Sequence, residues 1–157
     1  MLRHGILLIF WLSLALGVRE LPGVEAPVKS GTLLAQYEQA LASFNAGRAE
    51  RARSQFEDLL TRPDLPLDLR DNCSFWLGEA WYAQKAWLDA LSCFFKVLEQ
   101  ADSNKEEDAR LKIALCWQNL GEPERACAEA RTLLGRFPAG DSAPRARRLL
   151  ERCPPGE

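Results

Sequence analysis

Leu77-Gly78-Glu79-Ala80-Trp81-Tyr82-Ala83-Gln84-Lys85-Ala86-Trp87-Leu88-Asp89-Ala90-Leu91-Ser92-Cys93-Phe94-Phe95-Lys96-Val97 sets a register that occurs three times in the chain. Its turn position, Lys85, has counterparts at Gly47 and Gly121, which gives periods of 38 and 36 residues. Beyond each turn comes a small residue (Ala52, Ala90, Ala126), then Phe56, Phe94 or Ala130, then Leu59, Val97 or Leu133. Before each turn stands another small residue (Ala40, Gly78, Ala114), preceded directly by Gln39, Leu77 or Ile113. Self-similarity at this period marks a solenoid of stacked helix pairs, each too small to bury its apolar face alone. Stacked repeats present extended concave surfaces suited to binding.

Working outward, Leu34, Tyr37, Leu41 and Phe44 fall on one face of a helix over residues 33–46, capped by Thr32 or Ser30 and broken at Gly47. Its return helix covers 49–60, with Ala52, Phe56, Leu59 and Leu60 inward. Pro63 and Asp64 mark a loop, and Pro66 suits the first turn of a helix that runs to about Gln84. Its partner covers 87–100. A third pair covers about 105–120 and 122–136, closed by Pro138 and Gly140. Ser142 is placed to cap a seventh helix with Ala146, Leu149, Leu150 and Cys153 on one face and Arg145, Arg148 and Arg152 on another. A terminal repeat element needs this division, apolar toward its neighbour and charged toward water. The small columns predict close helix contacts, and Trp81 and Trp117 are expected to fill the space between neighbouring pairs, with Trp87 also in the core. Ser43 is the first pair's weak counterpart.

These columns resemble the tetratricopeptide repeat. Leu77, Gly78, Trp81, Ala90, Phe94 and Val97 match its pattern in the second pair; Ile113, Ala114, Trp117, Gly121, Ala126, Leu133 and Pro138 match in the third. Ala40, Gly47, Ala52, Phe56 and Leu59 match in the first. Lys85, Ala130 and Ser43 depart from it. The resemblance implies an all-α fold, a solenoid of three antiparallel helix pairs plus a C-terminal capping helix. Its repeats would cover about residues 33–66, 71–104 and 107–140, with the cap at 142–152, in a domain spanning 33–153. A narrower likeness is carried by Phe75-Trp76-Leu77-Gly78-Glu79-Ala80-Trp81-Tyr82-Ala83, Ala126-Cys127-Ala128 and Arg136-Phe137-Pro138. These look like the periplasmic tetratricopeptide proteins of the Tol–Pal system, and imply a role in linking envelope constriction to cell-wall synthesis. The chain lacks that family's N-terminal coiled coil, since residues 18–32 hold no heptads, so trimer formation is not carried over.

The N-terminus reads as an export signal. Arg3 and His4 precede an apolar run from Ile6 to Val18, too short to span a bilayer, and Ala15-Leu16-Gly17 supplies the small residues that signal peptidase reads. Cleavage is expected after about Gly17, with 18–32 a flexible lead-in and 154–157 a tail. The protein is expected to be periplasmic and not membrane-spanning once cleaved. Cleavage removes His4, the one His of the chain, and with it the commonest general base. The phosphate-loop and dinucleotide glycine patterns are absent. No cofactor, metal site or small-molecule substrate is expected, and an enzyme is the weakest of the functional readings. A net charge of −2 gives no basic excess for a phosphate backbone, so nucleic acid is not an expected partner.

Cys73, Cys93, Cys116, Cys127 and Cys153 form no C-x-x-C and have no imidazole to join, which argues against zinc. Free or partly free thiols packed as small hydrophobes are expected, although some could pair in an oxidising compartment. The first helix of each pair lines the inner groove in this architecture. Tyr37, Leu41, Phe44, Phe75, Glu79, Tyr82, Leu111, Leu115 and Gln118 fall on that face, and Trp76 joins the candidate partner-binding set. The set is apolar and aromatic, with Glu79 as its main charge and Lys112 as the nearest base. It suits an envelope protein or peptide segment with exposed apolar side chains. An exported interaction scaffold is the leading reading; a structural subunit of an outer-membrane assembly or secretion complex is the alternative.

Overall fold

The computed structural model describes residues 32–153. Within them lie seven helices and no strand: α1 (Leu33–Asn45), α2 (Ala49–Leu60), α3 (Leu67–Ala83), α4 (Trp87–Leu98), α5 (Glu106–Asn119), α6 (Pro123–Arg136) and α7 (Ala143–Leu150). Each packs on its neighbours in sequence, and α1 also touches α3. Three antiparallel pairs and a cap therefore stack in chain order. The expected signal segment, the lead-in up to residue 31 and the tail lie outside the described residues.

The turns explain the register. Gly47 and Gly121 sit at φ 73° and 78°, and Lys85 is held at φ 61° in the same left-handed well. A pair can reverse this tightly only if one residue takes that conformation, which glycine adopts freely and lysine adopts at a cost. The helix starts follow local chemistry too. The Ala35 amide donates to Thr32 Oγ1 at 3.2 Å, as an N-cap should. The guanidinium of Arg70 donates to the carbonyls of Leu60 and Arg62 at 3.3 and 2.9 Å, satisfying groups at the end of α2 and in its loop.

The core is built in three linked segments. Ala40, Ala52, Phe56, Leu59, Cys73 and Leu77 form the first, with Leu65 and Cys93. Phe75, Ala90, Leu91, Phe94, Val97, Ala109, Ile113 and Cys116 form the second. Leu111, Ala114, Ala126, Cys127, Ala130, Leu133, Ala146 and Leu149 form the third. Helices α3 and α5 contribute to two segments each, so both bury residues on opposite sides and lack the single apolar stripe of a surface helix.

Three sequence expectations need correction here. Gly78 is small because of a ring, not a helix backbone: a Cβ there would lie 2.6 Å from Phe94 Cε1. Trp81 and Trp117 do stand between successive core segments. Neither is sealed, and each carries a guanidinium on its ring, Arg53 at 4.3 Å and Arg125 at 4.7 Å. Trp87 is half-buried, against Tyr82 at 4.7 Å between ring centroids, and belongs to none of the three segments. Third, the Ser142 hydroxyl makes no cap of its own helix and instead donates to Asp108 Oδ1 at 3.2 Å.

The Gly78–Phe94 contact sets a testable limit. Gly78→Ala is expected to destabilise the fold by about 1–3 kcal/mol through overpacking, measured by urea unfolding. Phe94→Leu in the same chain should recover part of that loss, whereas additive losses would show that ring and methyl do not meet.

Candidate functional site

The inner face is built from the first helix of each pair. On α1 it offers half-buried Tyr37, Leu41 and Phe44; on α3, half-buried Trp76, Glu79 and Tyr82; on α5, half-buried Leu115 and exposed Gln118 and Asn119. These side chains are connected. Phe44 meets Trp76 at 5.4 Å between centroids, and Trp76 meets Phe75 at 5.6 Å. Burial raises the Tyr37 hydroxyl's pKa, partly opposed by a hydrogen bond with Trp76. Between α3 and α5, Lys112 Nζ donates to Glu79 Oε2 at 2.6 Å and lies 4.9 Å from the Tyr82 ring centroid. Asn119 Nδ2 donates to Tyr82 Oη at 3.2 Å and to the Leu115 carbonyl at 2.7 Å. The Tyr82 hydroxyl is pushed up by burial, and Arg145 on α7 lies near enough to oppose that shift.

Two expected groove residues are not available to a partner. Phe75 is buried at 6 % exposure, against Phe94 at 5.7 Å with Lys105 Nζ 5.6 Å from its ring. Leu111 is buried at 4 %, within the segment that includes Ala146 and Leu149 of the cap. Helical spacing puts Phe75 with Glu79 and Tyr82, and Leu111 with Leu115 and Gln118. It cannot say that the following elements cover the N-terminal end of each stripe. The groove is open toward the C-terminal ends of α3 and α5.

Glu79 pairs with the base that the sequence places nearest to it. As the main charge of the face it is already engaged, because Lys112 holds one oxygen and both side chains are mostly buried, at 14 % and 19 % exposure. The other oxygen, Oε1, is buried without a hydrogen-bond partner. A buried acceptor without a donor is rare in folded proteins and calls for a specific explanation. Asn119 was missed in the sequence because Asn near a helix end reads as a stop signal, which hides a side-chain role.

Elsewhere the chemistry is structural. Glu106 accepts from Arg110 Nε at 2.9 Å and Arg136 Nη2 at 2.8 Å, while Arg110 Nη1 also reaches Glu129 Oε1 at 2.7 Å. Burial works against the Glu106 carboxylate, but these arginines hold its pKa below the usual range. A recess of about 520 Å³ at the loop end of the second pair gathers Asp68, Asp71, Glu99 and Asp102. Its buried carboxylate, Asp71, is already engaged by the Ser103 hydroxyl at 2.6 Å. Among the described residues, no cluster of three or more His, Cys, Asp or Glu is placed to hold a metal, and no helix is long and apolar enough to cross a membrane.

The thiols divide unequally. Cys127 and Cys153 form a disulfide that joins α6 to the turn after α7. Cys153 therefore lies outside the helix in which the sequence reading put it. Cys73, Cys93 and Cys116 are free and buried, and burial pushes their thiols up to about 12, 11 and 12. Such groups are inert at neutral pH.

Residues 108–140 match the tetratricopeptide repeat family model. No curated protein matches the chain. Solved structures do. The type III secretion chaperone SycD of Yersinia enterocolitica, in complex with a peptide of the translocator YopD, aligns at TM-score 0.68 and 18% identity, covering 80% of this chain and 95% of that one. PcrH from Pseudomonas aeruginosa aligns at TM-score 0.65 and 19% identity, covering 83% and 97%. The C-terminal TPR-containing domain of a Plasmodium falciparum FK506-binding protein aligns at 0.61 and 18% identity, covering 77% and 85%. The fold is a tetratricopeptide-type α-solenoid, as the repeated columns imply.

Because Lys112 neutralises a mostly buried Glu79, Lys112→Ala should cost about 2 kcal/mol by stranding the carboxylate. The double replacement Glu79→Gln, Lys112→Met should cost much less, since neither half leaves an unpaired charge. Equal losses in chemical denaturation would show that the pair is solvated and contributes little.

Proposed function

We propose that this protein is an exported scaffold that holds an apolar segment of another envelope protein on the inner face between α1, α3 and α5. The observation that carries this reading is the connected, half-buried inner face, in which Phe44 meets Trp76 and the Glu79–Lys112 pair lies against the Tyr82 ring. Apolar side chains of a bound segment would cover Leu41, Phe44, Trp76 and Leu115. SycD, on the same fold, holds a peptide of YopD, which supports a peptide as occupant. A non-catalytic role agrees with a face that joins rings, one ion pair and amides. The Tol–Pal-like segments make envelope constriction or cell-wall and outer-membrane coordination the pathway of this proposal.

Export is supported by two independent features. The Ile6–Val18 run with Ala15-Leu16-Gly17 has the pattern of a cleaved signal. The Cys127–Cys153 disulfide is of a kind that persists in oxidising compartments. Intact mass of the protein from its native host should show loss of about the first 17 residues. Alkylation before and after reduction should find only Cys127 and Cys153 protected by a disulfide. A full-length chain with all five thiols reduced would overturn export.

A second reading, a subunit or chaperone of a secretion assembly, is favoured by Leu88 and Phe95. They lie two turns apart on α4 and remain 67 % and 40 % exposed. The likeness to SycD and PcrH is compatible with it. Photo-crosslinkers at Gln118 and at Phe95 in the native host separate the two. Crosslinking from Gln118, abolished by competing peptide, supports the groove; a stable complex crosslinked only from Phe95 supports the subunit. Trp76→Ala with Tyr82→Ala should weaken groove binding by about 1–2 kcal/mol or more, as truncated aromatic anchors do. Full affinity in the folded double variant would remove the groove from the binding site.

A further inference from the structure

The cap helix carries charge that the fold does not use. Ala143, Ala146 and Leu149 bury one face of α7. Arg145, Arg148 and Arg152 occupy another and are exposed, the last in the turn that continues the helix. Among the described residues, none of these three donates a side-chain hydrogen bond or forms an ion pair. Their neighbour Arg147 differs, because its Nη2 donates to the Pro138 carbonyl at 2.6 Å. Of the arginines elsewhere among the described residues, Arg53 and Arg125 lie over tryptophans, Arg70 on carbonyls, and Arg110 and Arg136 on glutamates, whereas Arg48 and Arg131 stand exposed and unpaired as single charges on separate helices or turns. Three arginines left without partners on one face, in a chain of net charge −2, form a local positive stripe against the overall sign.

The stripe adjoins the groove. Ser142, at the start of α7, is held by Glu107 and Asp108 of α5, and Leu111 and Leu115 of α5 share a core segment with Ala146 and Leu149 of α7, so the cap lies directly beside the last groove-lining helix. The groove ends there in donors, Asn119 Nδ2 and the Lys112 ammonium, whose pairing with Glu79 leaves no excess negative charge. Along the inner face the lining therefore changes from apolar (Leu41, Phe44, Trp76) to polar (Tyr82, Asn119) to cationic (Arg145, Arg148, Arg152). From residue 145 to 152 the stripe rises about 10 Å, the span of about three residues of extended chain.

We propose that the Arg145–Arg148–Arg152 stripe extends the groove and receives an acidic run of the bound segment, next to the apolar side chains that fill the groove itself. The occupant is thus an apolar–acidic peptide, in one orientation, with its Asp or Glu residues at the α7 end. This rests on the groove reading above and deepens it. Charge complementarity supplies direction and encounter rate, and the apolar anchors supply most of the affinity.

The test uses the full chain and its R145E/R148E/R152E variant, with fold checked by circular dichroism and the disulfide by mass. The probe is a displayed library of random dodecapeptides. The wild type should enrich peptides with an apolar cluster flanked on one side by Asp or Glu. The variant should retain the apolar cluster and lose the acidic flank or exchange it for Lys and Arg. A synthetic peptide of the enriched type should bind the variant about tenfold more weakly, the size of three exposed ion pairs, with the difference shrinking in high salt. Apolar peptides without an acidic preference in either protein would overturn the stripe and leave the groove standing. No apolar enrichment at all would overturn both. Arginine-dependent sedimentation with phosphatidylglycerol vesicles, without acidic peptide enrichment, would assign the stripe to a lipid surface and overturn the peptide.

Discussion

The structure depends on how closely successive helices can approach. Each pair needs a residue with little or no side chain where its helices meet, and a bulky residue elsewhere to fill what remains. In the second pair this is a single contact, the Phe94 ring seated on the bare Cα of Gly78. In the other pairs Ala40 shares a core segment with Phe56, and Ala114 with Ala130, all fully buried. Where the ring is lost, at Ala130, the third segment has Leu133, Leu149 and Ala146 in the same cluster, the last two supplied by the cap. The cap thus completes a core that the third pair would leave underfilled.

Close approach also explains why the inner face is usable. With α3 and α5 committed to core on two sides, only a narrow stripe of each remains for solvent. That stripe holds rings and amides whose polar ends are tied down: Tyr82 to Asn119 and Glu79 to Lys112. A surface fixed in this way loses little side-chain freedom on binding, which lowers the entropic cost of association.

Much of the fold was legible because it is periodic. The turn positions Gly47, Lys85 and Gly121 were marked by spacing alone, and all three adopt positive φ. Lys85 is the instructive one, since its residue type argues against a left-handed turn and only the register places it there. The candidate site was legible in part. Spacing assigns a residue to a face, but what covers that face comes from elements that the periodicity does not describe. Phe75 and Leu111 illustrate this, being correct for the stripe and buried by the next layer. The disulfide was illegible for the same reason, because Cys127 and Cys153 lie 26 residues apart and meet only once α7 folds back on α6.

That fold-back is more constrained than a helix of eight residues needs for packing alone. At its start, Glu107 of α5 accepts from the Ser142 amide at 2.6 Å, and its carboxylate lies against Gly140, where a side chain would push it aside. Asp108 takes the Ser142 hydroxyl. The two carboxylates sit at the positive end of α7, where negative charge is favoured. At its far end the disulfide ties the chain to α6. A short helix pinned at both ends cannot rotate about its axis, so its arginine face is fixed relative to α5 and to the end of the groove. Packing of Ala143, Ala146 and Leu149 would suffice to close the core; holding the opposite face in one orientation is what the polar and covalent ties add.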